Sequence, residues 1–253
     1  MANSSFVVLN DSKFPSLTNF DGNIFNVLFG IFLTFAIILT LYLTYYVKLK
    51  KVKDYSVPKG FVFVFQLYID FIENLTLEIL GKKFKKITPF FIYLFLYILV
   101  SNTISIFGFT NPTSSLSVTL MLGLVTFIGI FFVGFKFQRL SYLKKYTINI
   151  KTKKNKTIPI MVNPLNVVGQ VTPLISLSFR LWGNIFAGSL ITSMIYLGTE
   201  EAFDGLFKIK GLINVFGLIA LIPMHLYFDI LSGVIQTLVF VLLTMIYWKM
   251  EAK

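Results

Sequence analysis

Several stretches of this chain are too long and too free of charge to fold in water. Asn23–Val47 carries no charged residue over 25 positions, more than the roughly 20 that cross a hydrocarbon core about 30 Å thick. Ile87–Phe135 is uncharged for 49 positions, too long for one span, and Gly108, Asn111 and Pro112 divide it into two helices joined by a turn. Thr157–Phe179 and Leu181–Thr199 are parted only by Arg180, and Gly211–Phe228 and Ile230–Trp248 only by Asp229. Each pair reads as one long helix with a single charge at its middle. The expectation is five spans, at 23–47, 87–108, 115–137, 160–199 and 211–249. Composition agrees: 13% of the residues are charged, against about 25% in soluble domains.

Phe61–Leu80 is apolar but carries Asp70, Glu73 and Glu78, and Lys82, Lys83, Lys85 and Lys86 follow at once. It reads as an amphipathic helix lying at the interface. The fold class expected is therefore an all-α integral membrane protein, one membrane domain over 1–253, with five transmembrane helices and one interfacial helix. Residues 1–22 are expected to form an external N-terminus. Met1–Asp21 has no basic region ahead of an apolar core, so no cleavable signal peptide is expected.

The basic residues set the orientation. Nineteen of the 23 Lys and Arg fall at 48–59, 82–86, 136–156 and 249–253, all on one side of a five-span topology. Only Lys13, Lys208 and Lys210 fall on the other. The positive-inside rule then puts the N-terminus outside and the C-terminus in the cytoplasm, the parity that five spans require. The net charge of +12 marks topology and contact with anionic lipid headgroups rather than nucleic acid. The run from Lys144 to Lys156, within a basic loop at 138–158, reads as a solvated loop or as a docking surface for a cytoplasmic partner. No Cys and a single His, His225, leave no ligand set for a metal or haem centre, and no cofactor is expected.

Arg180 is the residue that most needs a reason. A charge at mid-span costs about 2.5–3.5 kcal/mol on insertion scales, and a guanidinium cannot escape by losing its proton. Either it forms a structural ion pair inside the bundle, with Asp229 the other mid-span charge, or it is a fixed cation facing a polar path. At helical spacing Ser176, Arg180, Gly183, Asn184, Ala187 and Gly188 share one stripe. Small residues there let another helix approach closely, so the stripe reads as a contact surface for a partner that also carries charge. On the last helix His225, Asp229, Ser232, Gly233 and Gln236 lie at i, i+4, i+7, i+8 and i+11, again one face. Asp229 suits a proton relay or a counter-ion to Arg180. His225 suits a relay or a helix hydrogen bond, and Gln236 an Arg neighbour or a water chain.

The run Ser178–Phe–Arg180–Leu–Trp–Gly183–Asn184–Ile–Phe–Ala187–Gly188 resembles the signature of subunit a of the F-type ATP synthases. Weaker matches follow in family order: Val57–Pro58–Lys–Gly60, Gly81–Lys–Lys, Pro89–Phe–Phe, Ser101–Asn102, Gly108–Phe–Thr–Asn–Pro112–Thr, Val118–Thr–Leu, Ile235–Gln236–Thr and Leu243–Thr–Met–Ile–Tyr247. The resemblance, bacterial-like in its N-terminal half, implies a stator subunit whose last two helices lie tilted along a ring of c subunits. Peripheral-stalk b subunits and the remaining synthase subunits complete the assembly, and the cell membrane is implied rather than the mitochondrial inner membrane. Arg180 matches the family's essential arginine, with Ser176, Gly183, Ala187 and Gly188 facing the ring. A proton path through two aqueous half-channels would use Asp229, Asn184, Gln236, His225, Gln170 and Ser189.

Some positions depart from the family pattern. Ser115 and Ser117 stand where an acid and Asn are usual, Gln170 where a carboxylate is usual ten residues before the arginine, and Ser189 where an ionisable group is frequent nine residues after it. Either hydroxyls and amides line most of the water path, or a neighbouring subunit supplies the missing groups.

Two other classes fit parts of the sequence. A secondary ion-coupled transporter with an Arg/Asp site would show internal repeats and broken half-helices, and no convincing repeat is present. An intramembrane serine protease would need Ser189 and His225 as a dyad, with no group evident to orient the base. There is no Gly-rich Lys-Ser/Thr loop for ATP, so the chain is not expected to be an enzyme by itself.

Overall fold

A computed structural model describes residues 24–50, 60–107, 109, 111–139, 142, 147–151, 157–162, 164–207 and 222–252. Among them five helices are long and apolar enough to cross a membrane, namely Phe25–Leu49, Lys82–Phe107, Leu116–Gln138, Val168–Ile195 and Ile222–Glu251. The expected all-α membrane architecture is the one observed. The N-terminal expectation for 1–22 lies wholly outside the described residues.

Helix α1 (Ile24–Leu49) buries a narrow stripe of Gly30, Thr34 and Ile38 at i, i+4 and i+8. It leaves Phe25, Phe32, Tyr42 and Val47 exposed, as a helix solvated by lipid can. Helix α2 (Phe61–Ile79) holds its three acids and packs on the next helix through Ile72 and Thr76, both fully buried. The Tyr68 hydroxyl donates to the Ile92 carbonyl, and Lys85 pairs with Glu73 at 3.0 Å. Helix α3 (Thr88–Thr103) starts with Pro89 in its first turn, where a missing N–H costs nothing. It tightens into a 3-10 turn at Ile104–Phe107. Helix α4 spans Leu116–Gln138.

The core lies where α3, α4 and the two C-terminal helices meet, around Phe91, Ile98, Leu177, Leu181, Phe240 and Met245, all fully buried. Trp248 is its hinge. Its Nε1 donates to the Thr126 carbonyl at 3.1 Å, its ring stacks on Phe90 at 5.4 Å and 11°, and Gly129 lies beneath it. A Cβ at Gly129 would come within 2.0 Å of the Trp248 ring. Gly129→Ala gains about 1 kcal/mol of helix propensity, but overpacking typically costs about 1–3 kcal/mol, and a stacked indole cannot slide aside. We expect a net loss of stability, read as a lower Tm of the purified assembly. An unchanged or higher Tm would mean that α4 and the last helix can separate freely.

The basic loop differs from expectation. Thr147–Lys151 (β1) and Thr157–Val162 (β2) pair antiparallel, with Thr147 opposite Val162 and Ile150 opposite Ile158. The alternation Thr–Ile–Asn–Ile–Lys is a strand pattern, and Pro159 sits opposite Asn149 at the register irregularity, a place where its missing N–H is tolerated. The strand also displaces the start of the next helix from 160 to 164.

Helix α5 runs from Pro164 to Phe207, past the expected end at 199. Gly198 alone cannot stop it, because Glu200, Glu201 and Ala202 after it are good helix formers. The last helix is described from 222 rather than 211. A short α-helical start at 222–225 gives way to a π-helical segment, Leu226–Ser232, which continues as α6 (Gly233–Glu251).

Candidate functional site

The two long C-terminal helices run antiparallel, and three contacts define their seam. Gln170 Nε2 donates to Glu251 Oε1 at 2.8 Å. Ser232 Oγ donates to Asn184 Oδ1 at 2.6 Å. A Cβ on Gly188 would meet Phe228 at 3.2 Å. The pairs 184 with 232 and 188 with 228 descend in step, and one further turn brings Gln236 to the level of Arg180.

Arg180, one turn before Asn184, lies at the exposed edge of the seam. Leu177 and Leu181 on the core side are fully buried, so Arg180, about 100° from Leu181 in a 3.6-residue helix, is turned outward and exposed. No hydrogen bond or ion pair engages it among the described residues. The alternative of a structural ion pair with Asp229 is therefore not what the fold builds: Asp229 Oδ2 instead meets His225 Nδ1 at 2.9 Å. Ser176 and Gly183 are half-buried and Ala187 is exposed, and a Cβ on Gly183 would meet nothing within 4 Å. Exposed Ile175 and Phe179 lie beside the cation, and exposed Ile191 and Met194 continue the apolar surface further along the helix. The result is one guanidinium on an apolar, small-residue surface near the middle of a 28-residue candidate span.

Gly188 departs from the expected stripe. It is buried and spends its missing side chain on the approach of Phe228, inside the chain, so it does not lie on the outward surface with Arg180.

The polar row of the last helix also needs correction. The i, i+4, i+7, i+8, i+11 spacing presupposes an α-helix, but Asp229 and Ser232 lie in the π segment, whose i→i+5 bonding changes the angular step; such segments are frequent at functional sites. His225 and Asp229 still meet, with their side chains 52% and 20% exposed. Gly233 and Gln236 are buried. Gln236 Nε2 has no hydrogen-bond partner among the described residues, so a buried donor is left at the height of the cation.

A buried polar brace holds this segment. Asn111 caps the turn before α4 by accepting from Thr113 N at 2.9 Å. The Thr113 hydroxyl donates to Asn102 Oδ1 at 3.0 Å, and Asn102 Nδ2 donates to the Gly233 carbonyl at 3.3 Å, where the π segment ends. The Ser101–Asn102 and Asn111–Pro112–Thr113 motifs thus act as one unit on the last helix.

Ser189 is exposed and donates to the Phe186 carbonyl at 2.9 Å, while His225 is engaged by Asp229. No Ser–His contact links the two, so a serine-protease dyad is not formed.

The family model for the ATP synthase A chain matches residues 28–249. The chain belongs to that family. Among relatives, ATP synthase subunit a of Mycoplasmoides gallisepticum is 45% identical over 237 residues, covering 88% of this chain and 77% of its own. The Mycoplasma pneumoniae subunit a is 40% identical over 224 residues, covering 87% and 76%. A more distant relative from Propionigenium modestum, named ATP synthase subunit a, sodium ion specific, is 28% identical over 207 residues, covering 76% of this chain and 63% of its own. A multi-pass membrane protein that takes part in ATP synthesis and ion transport is the identity these findings establish. The subunit a family thereby accounts for the five spans.

Sequence reading missed Glu251. It lies between Lys249 and Lys253 near the chain's end and reads as part of a solvated terminus, yet it is 7% exposed. The one signal was Gln170, whose role left an amide at a position expected to be acidic.

Proposed function

We propose that this chain is the ion-translocating stator subunit of a rotary F-type ATP synthase, multi-pass in the cell membrane with its N-terminus outside and its C-terminus in the cytoplasm. Arg180 is presented to the carboxylates of a c-subunit ring. A proton enters one half-channel, passes Asp229 with His225 beside it, and neutralises a ring carboxylate. The neutral carboxylates turn through lipid, and the last one meets Arg180 and releases its proton into the second half-channel. Asn184 and Gln236 line the polar strip beside the cation, Gln170 lies on the release side, and Ser189 lies toward the entry side. Ser176, Gly183 and Ala187 give the ring helix room. Peripheral-stalk b subunits hold the chain still against rotation, and nucleotide chemistry resides in other subunits, so the chain is not an enzyme alone and needs no cofactor.

The observation that carries this reading is Arg180, a permanent cation at mid-span, exposed and without a partner among the described residues. An unpaired charge there is costly, and a carboxylate arriving from another subunit offsets that cost at each step of rotation. The test is purification of the tagged chain from its native membrane in mild detergent, with mass spectrometry of what accompanies it. A ring-forming hairpin proteolipid, a stalk subunit and nucleotide-binding subunits are expected. A chain that purifies folded and alone would overturn the reading in favour of an autonomous transporter. The coupling ion is checked in the same preparation: ATP-driven acidification of vesicles without added Na⁺ is expected, and turnover that requires Na⁺ would replace the proton in this scheme.

A further inference from the structure

A cavity of about 210 Å³ opens between α4 and the seam, lined by Asn166, Gly169, Gln170, Pro173, Tyr247 and Glu251. It has room for several waters; Asn166, Gln170 and Glu251 supply the polar part of its wall, and Ile130 and Met250 are apolar. Pro173 has no N–H to donate, so the Gly169 carbonyl one turn earlier loses its helical partner at the cavity wall. Glu251 is the one carboxylate there among the described residues, held from two sides: Gln170 Nε2 donates to its Oε1 at 2.8 Å, and Gln138 Nε2 donates to its backbone carbonyl at 3.0 Å. A carboxylate in the last turn of α6 gains nothing from the helix dipole, which favours cations at that end. An end-capping role therefore does not explain why an acid is buried there.

Its height is the informative part. Gln170 precedes Arg180 by ten residues, about 15 Å along a helix, toward the end of the bundle where the basic residues lie. Asp229 pairs by seam register with Ala187, about 10 Å from Arg180 in the opposite direction. The two carboxylates of the seam thus stand on either side of the cation.

We propose that Glu251 is the proton-release acid of this chain: it takes protons from the Arg180 side through waters in the cavity and passes them to the basic face. The proposal rests on the stator reading above. The proton moves from a ring carboxylate to water, from water to a Glu251 oxygen, and from Glu251 to bulk water, with no other bond changed. Tyr247 is the other titratable group on the cavity wall among the described residues. Asn166 and Gln170 of α5 and Gln138 of α4 are neutral, while Arg139 and Lys249 are exposed.

The experiment uses the whole complex in membrane vesicles, with passive proton conduction measured after the soluble sector is stripped and the pH of the basic-face side varied alone. Glu251→Gln keeps an oxygen to accept from Gln170 and is expected to lower conduction about tenfold, less than an obligatory acid–base group contributes because waters carry part of the flux. It is also expected to flatten the dependence on basic-face pH. Glu251→Asp is expected to restore both in part. Wild-type conduction with a wild-type pH profile in Glu251→Gln would overturn the proposal. Should that variant fail to assemble, the exchange Glu251→Gln with Gln170→Glu decides. Conduction that titrates with basic-face pH supports the proposal, and conduction indifferent to it refutes it. Arg180→Ala in parallel separates the two levels: if it is silent, the stator reading itself has failed, whereas its loss of coupling beside an unaffected Glu251→Gln defeats only the inference about Glu251.

Discussion

Arg180→Ala is expected to abolish coupled ATP synthesis while leaving the amount of assembled complex unchanged. Both halves follow from one geometry. The guanidinium is exposed and makes no hydrogen bond or ion pair within the described residues, so its removal breaks nothing in the fold. Removal also relieves an insertion penalty of about 2.5–3.5 kcal/mol. In the proposed mechanism, by contrast, every ring carboxylate must pass this cation to be stripped of its proton, and the cation also bars a direct path between the half-channels. One charge crossing 100 mV carries about 2.3 kcal/mol, and that energy is dissipated if protons leak past without turning the ring. Synthesis in energised vesicles should fall to background, with passive proton conduction retained or raised. Arg180→Lys should not rescue it fully, because an ammonium is a compact point charge that shifts its pKa readily when desolvated, whereas a guanidinium stays protonated. Normal coupled synthesis in Arg180→Ala would sink the stator reading.

Asp229→Asn is the second large effect expected: proton-driven turnover falls by about 10²-fold, the low end for a positioned acid–base group. Asn is nearly isosteric and keeps an oxygen 2.9 Å from His225 Nδ1, so the π segment and its brace through Asn102 should hold. What disappears is the ability to take up and give back a proton. Turnover under a pH gradient, normalised to the amount of complex, gives the measurement. His225→Gln serves as the control for the pairing itself. A rate in Asp229→Asn equal to wild type would show that water alone carries the entry path.

The charge pattern made the spans legible, and with them the odd positions of Arg180 and Asp229, because bilayer insertion penalises single residues heavily enough to show in one sequence. Around Arg180 the structure leaves Ala187 exposed and Ser176 and Gly183 half-buried. Gly188 is buried against Phe228, and a glycine serving an intramolecular contact leaves the same letter as one serving a partner. The hairpin at 147–162 was hidden by its lysines, which favoured a reading as loop over the period-2 alternation beneath them. The π segment escaped for a different reason. Its end at Gly233 is braced by Asn102, 131 positions earlier, and no local window contains both.

Glu251 marks the boundary most clearly. Hydropathy, charge spacing and the arginine motif settle that this chain crosses a membrane, that its long C-terminal helices carry one mid-span charge each, and which family it belongs to; all are properties of segments or of a contiguous motif. Whether an acid near the end of the chain is solvated or buried, whether Arg180 is paired or bare, and which amide faces which carboxylate depend on how α4, α5 and α6 come together. Those outcomes rest on contacts across 48 to 113 positions, set by glycine-scale gaps such as Gly129 beneath Trp248. Tertiary packing alone decides them, because a side chain's surroundings in a bundle are supplied by helices that are distant in sequence.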